Sequence, residues 1–285
     1  MIQWNRIARP QIDLYDMQII LEEAQKKHIS YFDVFVPEHG NEDYMALFDG
    51  TVKIQVAKEK SPYEELENGR VYHKGIHIGI SLLGQWPELY QQFPHIVRYI
   101  HPLRIPSEKT YTLSSCSGSH EHEFGLVYIT EGHPFVVAEA LVHEMAHLKL
   151  FALGLGITES KGFILNLPEN LYESPVIRHM PRPMTAVFHA QYTFTHILHL
   201  DNILLEGEHS ERNLSILLNL LTYTLIRIER GLEILREHVV LDEKGKAFFE
   251  GYYNWADEVV ARSNALLKLH KYPKPTLNPV EYTYS

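Results

Sequence analysis

Four long stretches from position 135 onward have helical character: 135–153 is apolar and rich in helix formers, and the other three carry stripes at helical spacing. Apolar side chains every three or four residues mark the buried face of a helix. The pattern therefore predicts helices over 135–153, 184–206, 214–239 and 247–269. Gly154 and Gly156 end the first of these, because glycine accepts the left-handed conformation that closes a helix. An amphipathic stretch at 12–28 predicts one more helix near the start of the chain.

Shorter runs of β-type residues dominate the first 130 positions. Alternating apolar residues bounded by turn residues predict strands. These runs lie at 31–36, 45–48, 52–57, 71–83, 110–115 and 124–130. Asp49-Gly50 favours a tight hairpin between the second and third runs, because this pair accepts positive φ angles. Residues 86–105 follow a helical pattern that is interrupted at Pro94 and Pro102.

The order of these elements predicts an α+β protein that is predominantly helical. A small N-terminal sheet, mixed or antiparallel, is expected to pack on a C-terminal helical bundle that carries helix 135–153. A chain of 285 residues suits one large domain or two small ones, and we expect a single domain. Within it we expect a strand-rich part at 1–130, a helical part at 131–272 and an extended, proline-rich tail at 273–285.

The charge and the cysteine content of the chain limit the partners and the location that we expect for it. Lys+Arg 26 against Asp+Glu 36 gives a net charge of −10, which argues against nucleic-acid binding. No apolar run approaches the roughly eighteen residues that a membrane span needs, and the first residues lack the apolar core of a signal peptide. The single cysteine, Cys116, suits a reducing compartment. A cytoplasmic location with neither nucleic-acid nor membrane partners is therefore expected.

The segment 141–150, LVHEMAHLKL, carries the residues best suited to chemistry. His143 and His147 are four positions apart, so on a helix both imidazoles face one way and can reach one metal ion. Glu144 lies beside them, where a carboxylate acts on a water at the metal or steadies the site. Because the surrounding helix is apolar and has clear ends, we interpret the pair as metal ligands rather than as partly buried structural histidines.

A metal site of this kind needs a third protein ligand. The metzincin pattern requires glycine at 150 and histidine at 153, and the chain has Leu150 and Leu153, which excludes that class. A zinc peptidase of the other common type takes a glutamate from a later helix, and Glu206 is the possible donor. His189, near the start of the following predicted helix, is the preferred alternative. The result would be a three-histidine site, or a two-histidine site completed by another group, with open positions for water and substrate.

Further polar residues could line a pocket around the metal. The loop 116–123 carries His120 and His122 together with two carboxylates. It either supports the metal ligands or is a solvated polar loop. On the predicted helix 184–206, Tyr192 and His196 are possible pocket residues, and His196 shares a helical face with His189.

The stretch 154–183 is long for a connection inside a compact domain, and such loops are often functional. A lid or a substrate-lining segment is one expectation. Arg178 and Arg182 lie in it, and either guanidinium could hold a carboxylate through two parallel hydrogen bonds.

Two blocks, ALVHEMAHLKL at 140–150 and PRPMTAVFHAQYTF at 181–194, resemble the HExxH-motif peptide-modification proteins encoded beside ribosomally made, post-translationally modified peptides. The resemblance covers roughly 110–205. It implies an iron(II)- and 2-oxoglutarate-dependent hydroxylation of a precursor-peptide side chain at the β-carbon. It further implies that His143, His147 and His189 bind the iron and that Arg182 pairs with the co-substrate carboxylate. Three histidines depart from the 2-His-1-carboxylate triad that is usual for such iron enzymes.

Three function classes follow. The first is a peptide-modifying oxygenase that uses Fe(II) and 2-oxoglutarate, and the paired blocks and Arg182 favour it. The second is a zinc-dependent HExxH metallopeptidase, in which Glu144 would deprotonate the attacking water. Glu144 favours this class, because a hydrolase needs such a base and an oxygenase has no evident need of one. The third is a non-enzymatic peptide-binding protein with a structural metal.

Overall fold

The computed structural model describes residues 2–31, 44–55, 74–103 and 117–279, and the backbone alone of 65–67 and 70–72. The fold is α+β and predominantly helical, as predicted. The chain forms two compact units. We call Ala24–Ala152 the sheet unit, and Met1–Glu23 with Leu153–Ser285 the helical unit. The single-domain organisation stays a prediction. The HExxH helix groups with the sheet unit, whereas the sequence pattern grouped it with the later helices.

The helices in the described part of the chain include the helix predicted at 12–28 and the four predicted from 135 onward, together with two that the sequence did not predict, Trp4–Ile7 and Lys74–Leu83. They are α1 (Trp4–Ile7), α2 (Tyr15–Lys26), α3 (Lys74–Leu83), α4 (Pro87–Ile96), α5 (Pro134–Leu153), α6 (Met184–Leu205), α7 (Glu211–His238) and α8 (Glu243–Leu269). The last four confirm the four helices predicted from position 135 onward. None of the helices in the described ranges is long and apolar enough to cross a membrane.

The sheet unit contains a five-stranded sheet that is mixed, as expected. Its described strands, with a separate two-stranded pair, are β1 (Tyr44–Leu47), β2 (Val52–Gln55), β3 (Glu65–Glu67), β4 (Arg70–Tyr72), β5 (Tyr99–Leu103), β6 (Ser117–Gly118) and β7 (Leu126–Thr130). The order in the large sheet is β1-β2-β5-β7-β6. The central pairs β2–β5 and β5–β7 are parallel, and the outer pairs are antiparallel. Asp49 and Gly50 form the predicted hairpin turn with φ angles of 54° and 88°.

The strand predicted at 71–83 is wrong for most of its length, because Lys74–Leu83 is helical. The apolar residues that α3 buries recur at helical spacing: Ile76, Ile80 and Leu83. Gly79 lets α3 approach α5 closely, since a Cβ at this position would lie 2.8 Å from Cγ1 of Val137. The glycine therefore serves close helix packing instead of marking a strand bulge.

The helical pattern predicted over 86–105 is correct only for its first half. After α4, residues Tyr99–Leu103 form β5 in the middle of the sheet. The register with β2 covers Tyr99 and Ile100, so Pro102 lies past that pairing and its missing N–H is tolerated. The strand predicted at 110–115, Cys116 and nearly all of the strand predicted at 31–36 lie outside the described residues.

The helical unit is built around α6, which packs against α7 and α8. Its aromatic centre lies between α6 and α8 and includes Phe188, Tyr192, Phe248, Phe249 and Tyr252. Gly231 allows α7 to approach α6, since a Cβ there would lie 2.0 Å from Cδ of Gln191. Before α6, two short strands, β8 (Leu171–Tyr172) and β9 (Arg182–Pro183), pair antiparallel and join the middle of the predicted lid segment to its C-terminal end.

Candidate metal centre

Helix α5 positions the two histidines of the HExxH motif as the sequence predicts. The helix begins at Pro134 and ends at Leu153, and Gly154 follows in the left-handed conformation with φ 81°. The Nε2 atoms of His143 and His147 lie 3.0 Å apart, and the ring centroids are 4.6 Å apart. The two imidazoles thus face each other on one side of the helix.

The separation of the two Nε2 atoms suits two ligands of one ion. If each nitrogen lies about 2.1 Å from a metal, a separation of 3.0 Å corresponds to an angle of about 90° at that metal. A tetrahedral angle with the same bonds would need about 3.4 Å between the nitrogens. The two imidazoles are therefore placed to act as two ligands of one ion, and the same 3.0 Å separation also matches a hydrogen bond between the rings.

Glu144 is held by two serine hydroxyls and is only 2% exposed. Ser117 Oγ donates to Oε1 and Ser119 Oγ donates to Oε2, each over 2.6 Å. Oε1 is also 3.9 Å from Nε2 of His143. Both carboxylate oxygens accept charge-assisted hydrogen bonds, which are short and strong. The arrangement fixes the orientation of Glu144 next to the histidine pair.

The surroundings of the pair favour the neutral form of His143, which is the form that binds metals. Burial lowers the pKa of His143, and the charge of Glu144 opposes that shift. Phe151 stacks near the ring of His147 with a centroid distance of 6.1 Å. Burial thus keeps the imidazole lone pair of His143 available at neutral pH.

In the polar loop before β7, the serines rather than the histidines contact Glu144. His120 and His122 are exposed, and the ring of His120 lies 5.9 Å from that of Tyr128. Ser117 and Ser119, which sequence reasoning missed, reach Glu144 instead. Their alternation around Gly118 at the edge of the sheet is the one sequence signal for this role, since alternate residues of a strand face the same side.

His189 lies in the helical unit on α6 and is 2% exposed. Its Nε2 is 2.8 Å from the carbonyl oxygen of Leu155. A metal-binding histidine commonly donates its other ring N–H to a backbone carbonyl, so this contact fits a ligand and equally a structural histidine. Across the described ranges, no three His, Cys, Asp or Glu side chains are grouped as metal ligands. The three-histidine set therefore stays a prediction.

The alternative third ligand, Glu206, is engaged elsewhere. It caps the far end of α6, and its carboxylate pairs with the guanidinium of Arg262 at 2.5 and 2.9 Å. It is separated from His189 by about 25 Å along the helix, at roughly 1.5 Å per residue. A single ion bound near His189 would be out of reach of Glu206.

The remaining predicted pocket residues are distributed within the helical unit. Tyr192 and His196 are buried in its aromatic centre, and the His196 ring lies 4.7 Å from that of Trp255. Burial raises the pKa of Tyr192 well above its usual value, and the charge of Asp16 adds to the shift. Tyr192 and His196 thus serve the core in this structure.

The two arginines of the lid segment differ in their surroundings. Arg182 lies on β9 opposite Tyr172, and its Nη1 is 3.9 Å from Sδ of Met180. Arg178 donates from Nη2 to the carbonyl oxygen of Asn278 over 2.6 Å. Neither forms an ion pair with a carboxylate in the part of the chain that the structure describes. Both guanidiniums are therefore available for an anionic ligand.

Comparison with known proteins does not assign the chain to a family. No family model matches the sequence, and no curated protein matches it either.

Proposed function

We propose that this chain is a metal-dependent peptide-modifying enzyme, an iron(II)- and 2-oxoglutarate-dependent hydroxylase that acts on a ribosomally made precursor peptide. The observation that carries the proposal is the pair of facing imidazoles on α5, with Nε2 atoms 3.0 Å apart beside a fixed carboxylate. The resemblance of residues 140–150 and 181–194 to the peptide-modification family supports the choice of substrate. The single cysteine agrees with a cytoplasmic location.

The hydrogen bonds of Glu144 favour the oxygenase over a hydrolase. A general base must turn an oxygen toward the water that it deprotonates. Here both oxygens of Glu144 already accept bonds from Ser117 and Ser119. A carboxylate fixed in this way is better suited to orienting its neighbour His143 than to moving protons.

Each residue then has a defined task. His143 and His147 would hold the iron, and His189 is the proposed third ligand. Arg182 would bind the carboxylate of 2-oxoglutarate through two parallel hydrogen bonds. When bound, the iron and 2-oxoglutarate supply the oxidation of a peptide C–H bond by O₂, and CO₂ and succinate are released. The chain itself would position the peptide side chain and exclude competing groups.

One observation keeps a zinc-dependent HExxH metallopeptidase as the second candidate. Oε1 of Glu144 lies only 3.9 Å from Nε2 of His143, which is the neighbourhood in which a hydrolytic base operates. Loss of the hydrogen bond from Ser117 would free this oxygen to accept a proton from a water. The peptidase then needs zinc and water alone, with no requirement for O₂.

Metal analysis of anaerobically purified protein, combined with an assay of succinate formation, tests the proposal. We expect the protein to retain about one ferrous ion per chain and to convert 2-oxoglutarate to succinate in the presence of O₂. Protein that retains only zinc and forms no succinate after reconstitution with iron would rule the oxygenase out.

A further inference from the structure

Two arginines of the helical unit, Arg178 and Arg227, have incomplete hydrogen bonding. Arg178 Nη2 donates to the carbonyl oxygen of Asn278 over 2.6 Å, and Arg227 Nη1 donates to that of Tyr223 over 2.8 Å. The Nε atoms of both arginines are buried and donate to none of the described residues. In the described ranges both donate to backbone carbonyls, the guanidinium of Arg227 also lies 3.4 Å over the ring of Tyr223, and neither guanidinium meets a carboxylate.

An ion pair fastens the loop that carries Arg178 to the helix that carries Arg227. Oε2 of Glu173 accepts bonds from Nε and Nη2 of Arg230 at 3.2 and 2.7 Å. Arg230 lies one turn beyond Arg227 on α7, so the two share a face of the helix. Glu173 precedes Arg178 by five positions in the loop. The loop and this face of α7 therefore bring the two guanidiniums into one neighbourhood.

The electrostatics agree with this placement. Burial lowers the pKa of Arg227, and the positive charge of Arg178 lowers it further against the opposing effect of Tyr223. Two neighbouring cations with buried, unused donors cost free energy unless an anion compensates them. The chain has 36 acidic residues and a net charge of −10, yet it places none of its described carboxylates on this pair.

The guanidinium groups of Arg178 and Arg227 favour a carboxylate as their ligand. A guanidinium donates two parallel hydrogen bonds that match the two oxygens of a carboxylate. Apolar side chains of the same segment are exposed, among them Leu165, Leu167, Leu171 and Met180. Exposed apolar residues in the segment that carries Arg178 suit a peptide that has both acidic and apolar side chains.

We propose that Arg178 and Arg227 form a carboxylate-binding site, and that the carbonyl of Asn278 fills one of its positions until a ligand replaces it. The ligand is an acidic side chain of a bound peptide or a small carboxylic acid. The site goes beyond the proposed metal chemistry, because it needs neither iron nor 2-oxoglutarate. Its failure would leave the assignment of α5 untouched.

Fluorescence anisotropy with a labelled peptide tests the site on the full chain as purified. The probe is a fluorescein-labelled heptapeptide of alternating glutamate and leucine, and the control probe replaces every glutamate by glutamine. We expect the acidic probe to bind at least tenfold more tightly than its neutral counterpart. Arg178→Gln and Arg227→Gln should each weaken binding about ten- to a hundredfold, as expected for loss of a charge-assisted hydrogen bond. Arg212→Gln, an exposed change on the same helix, should have no effect.

Competition with glutarate separates the two sources of the carboxylate. If millimolar glutarate displaces the probe, the site accepts free carboxylic acids; if it does not, the site recognises acidic peptides. Arg178→Lys and Arg227→Lys keep the positive charge but lose the two parallel hydrogen bonds of a guanidinium. Weaker probe binding by these variants, with melting temperatures equal to that of wild type, also supports the site. Equal binding of the acidic and neutral probes, or wild-type affinity in both glutamine variants, would overturn it.

Discussion

Ser119 donates a hydrogen bond from Oγ to Oε2 of Glu144 over 2.6 Å, across 25 positions of the sequence. Ser117 makes the equivalent bond to Oε1. Together they link the edge strand β6 to the middle of α5, directly beside the histidine pair. This link determines how Glu144 can act, because a buried carboxylate with both oxygens bonded has little freedom to turn.

Replacing both serines by alanine should destabilise the protein and disturb the metal site. The double variant Ser117→Ala, Ser119→Ala leaves a buried carboxylate without two donors, at a cost of about 1.5–3 kcal/mol for each bond. Urea unfolding measures the free energy, and metal analysis measures the occupancy. Ser81→Ala, an exposed change in the same unit, is the control and should stay within about 0.5 kcal/mol of wild type. A double variant as stable as this control would show that the bonds contribute nothing.

Removal of either imidazole on α5 should lower iron occupancy at least about tenfold, because a ligand is lost outright. His143→Ala and His147→Ala are the tests, and His95→Ala on the exposed surface of α4 is the matched control. Inductively coupled plasma analysis of anaerobically prepared protein gives the metal content. His189→Ala should behave like the α5 variants. Full occupancy in His189→Ala would refute its role as third ligand.

Arg182→Lys should weaken 2-oxoglutarate binding while leaving the metal content close to that of wild type. Lysine keeps the positive charge but cannot make the two parallel hydrogen bonds of a guanidinium. Titration calorimetry of iron-loaded protein with 2-oxoglutarate measures the affinity. Arg212→Lys is the control. Equal affinity in the two variants would remove Arg182 from the co-substrate site.

Acid should destabilise the helical unit through His199. Burial lowers the pKa of His199 to about 4, with the charges of Arg262 and Arg9 adding to the effect, and Trp255 Nε1 donates to its Nδ1 over 3.0 Å. The unfolded chain takes up this proton near pH 6.5, whereas the folded chain does so only near 4, so stability is full above 6.5 and is lost as the pH falls toward 4.

The loss through this group between pH 7.5 and 5 amounts to about 2 kcal/mol. His199→Asn keeps an acceptor for the indole and removes the titration. Urea unfolding at both pH values should therefore show a decline for wild type that exceeds the decline for His199→Asn by that amount. Equal declines would contradict the shifted pKa.

The helices that sequence periodicity identified are those whose apolar residues recur without ambiguity. In α7 and α8 an apolar stripe at a spacing of three and four persists over 27 residues or more. Helices α5 and α6 are buried on nearly every side, and their length and helix-forming residues identified them instead. In α3 the order Gly75-Ile76-His77-Ile78-Gly79-Ile80 alternates as a strand would, so local pattern favours the wrong structure. Only packing of Gly79 against Val137 resolves the ambiguity, and that contact joins distant parts of the chain.

The candidate site likewise has one feature that follows from local sequence and one that depends on contacts between distant residues. The orientation of His143 and His147 follows from their spacing of four on one helix, which is a local property. The hydrogen bonds of Ser117 and Ser119 to Glu144 join residues more than twenty positions apart, and no local pattern specifies which polar residue of a loop makes such a contact. Sequence reasoning therefore predicted the facing imidazoles and missed the two serines that orient the carboxylate of Glu144.

The most direct test of the central claim is the mass of the precursor peptide after incubation with the enzyme. With iron, 2-oxoglutarate and O₂, wild-type protein should add one oxygen atom to an uncut peptide. Glu144→Gln should retain part of this activity, because the carboxylate orients its neighbours. A peptidase would instead lose about a hundred- to ten-thousandfold in rate with its general base. Peptide fragments that form anaerobically with zinc, and that disappear in Glu144→Gln, would contradict the hydroxylase account.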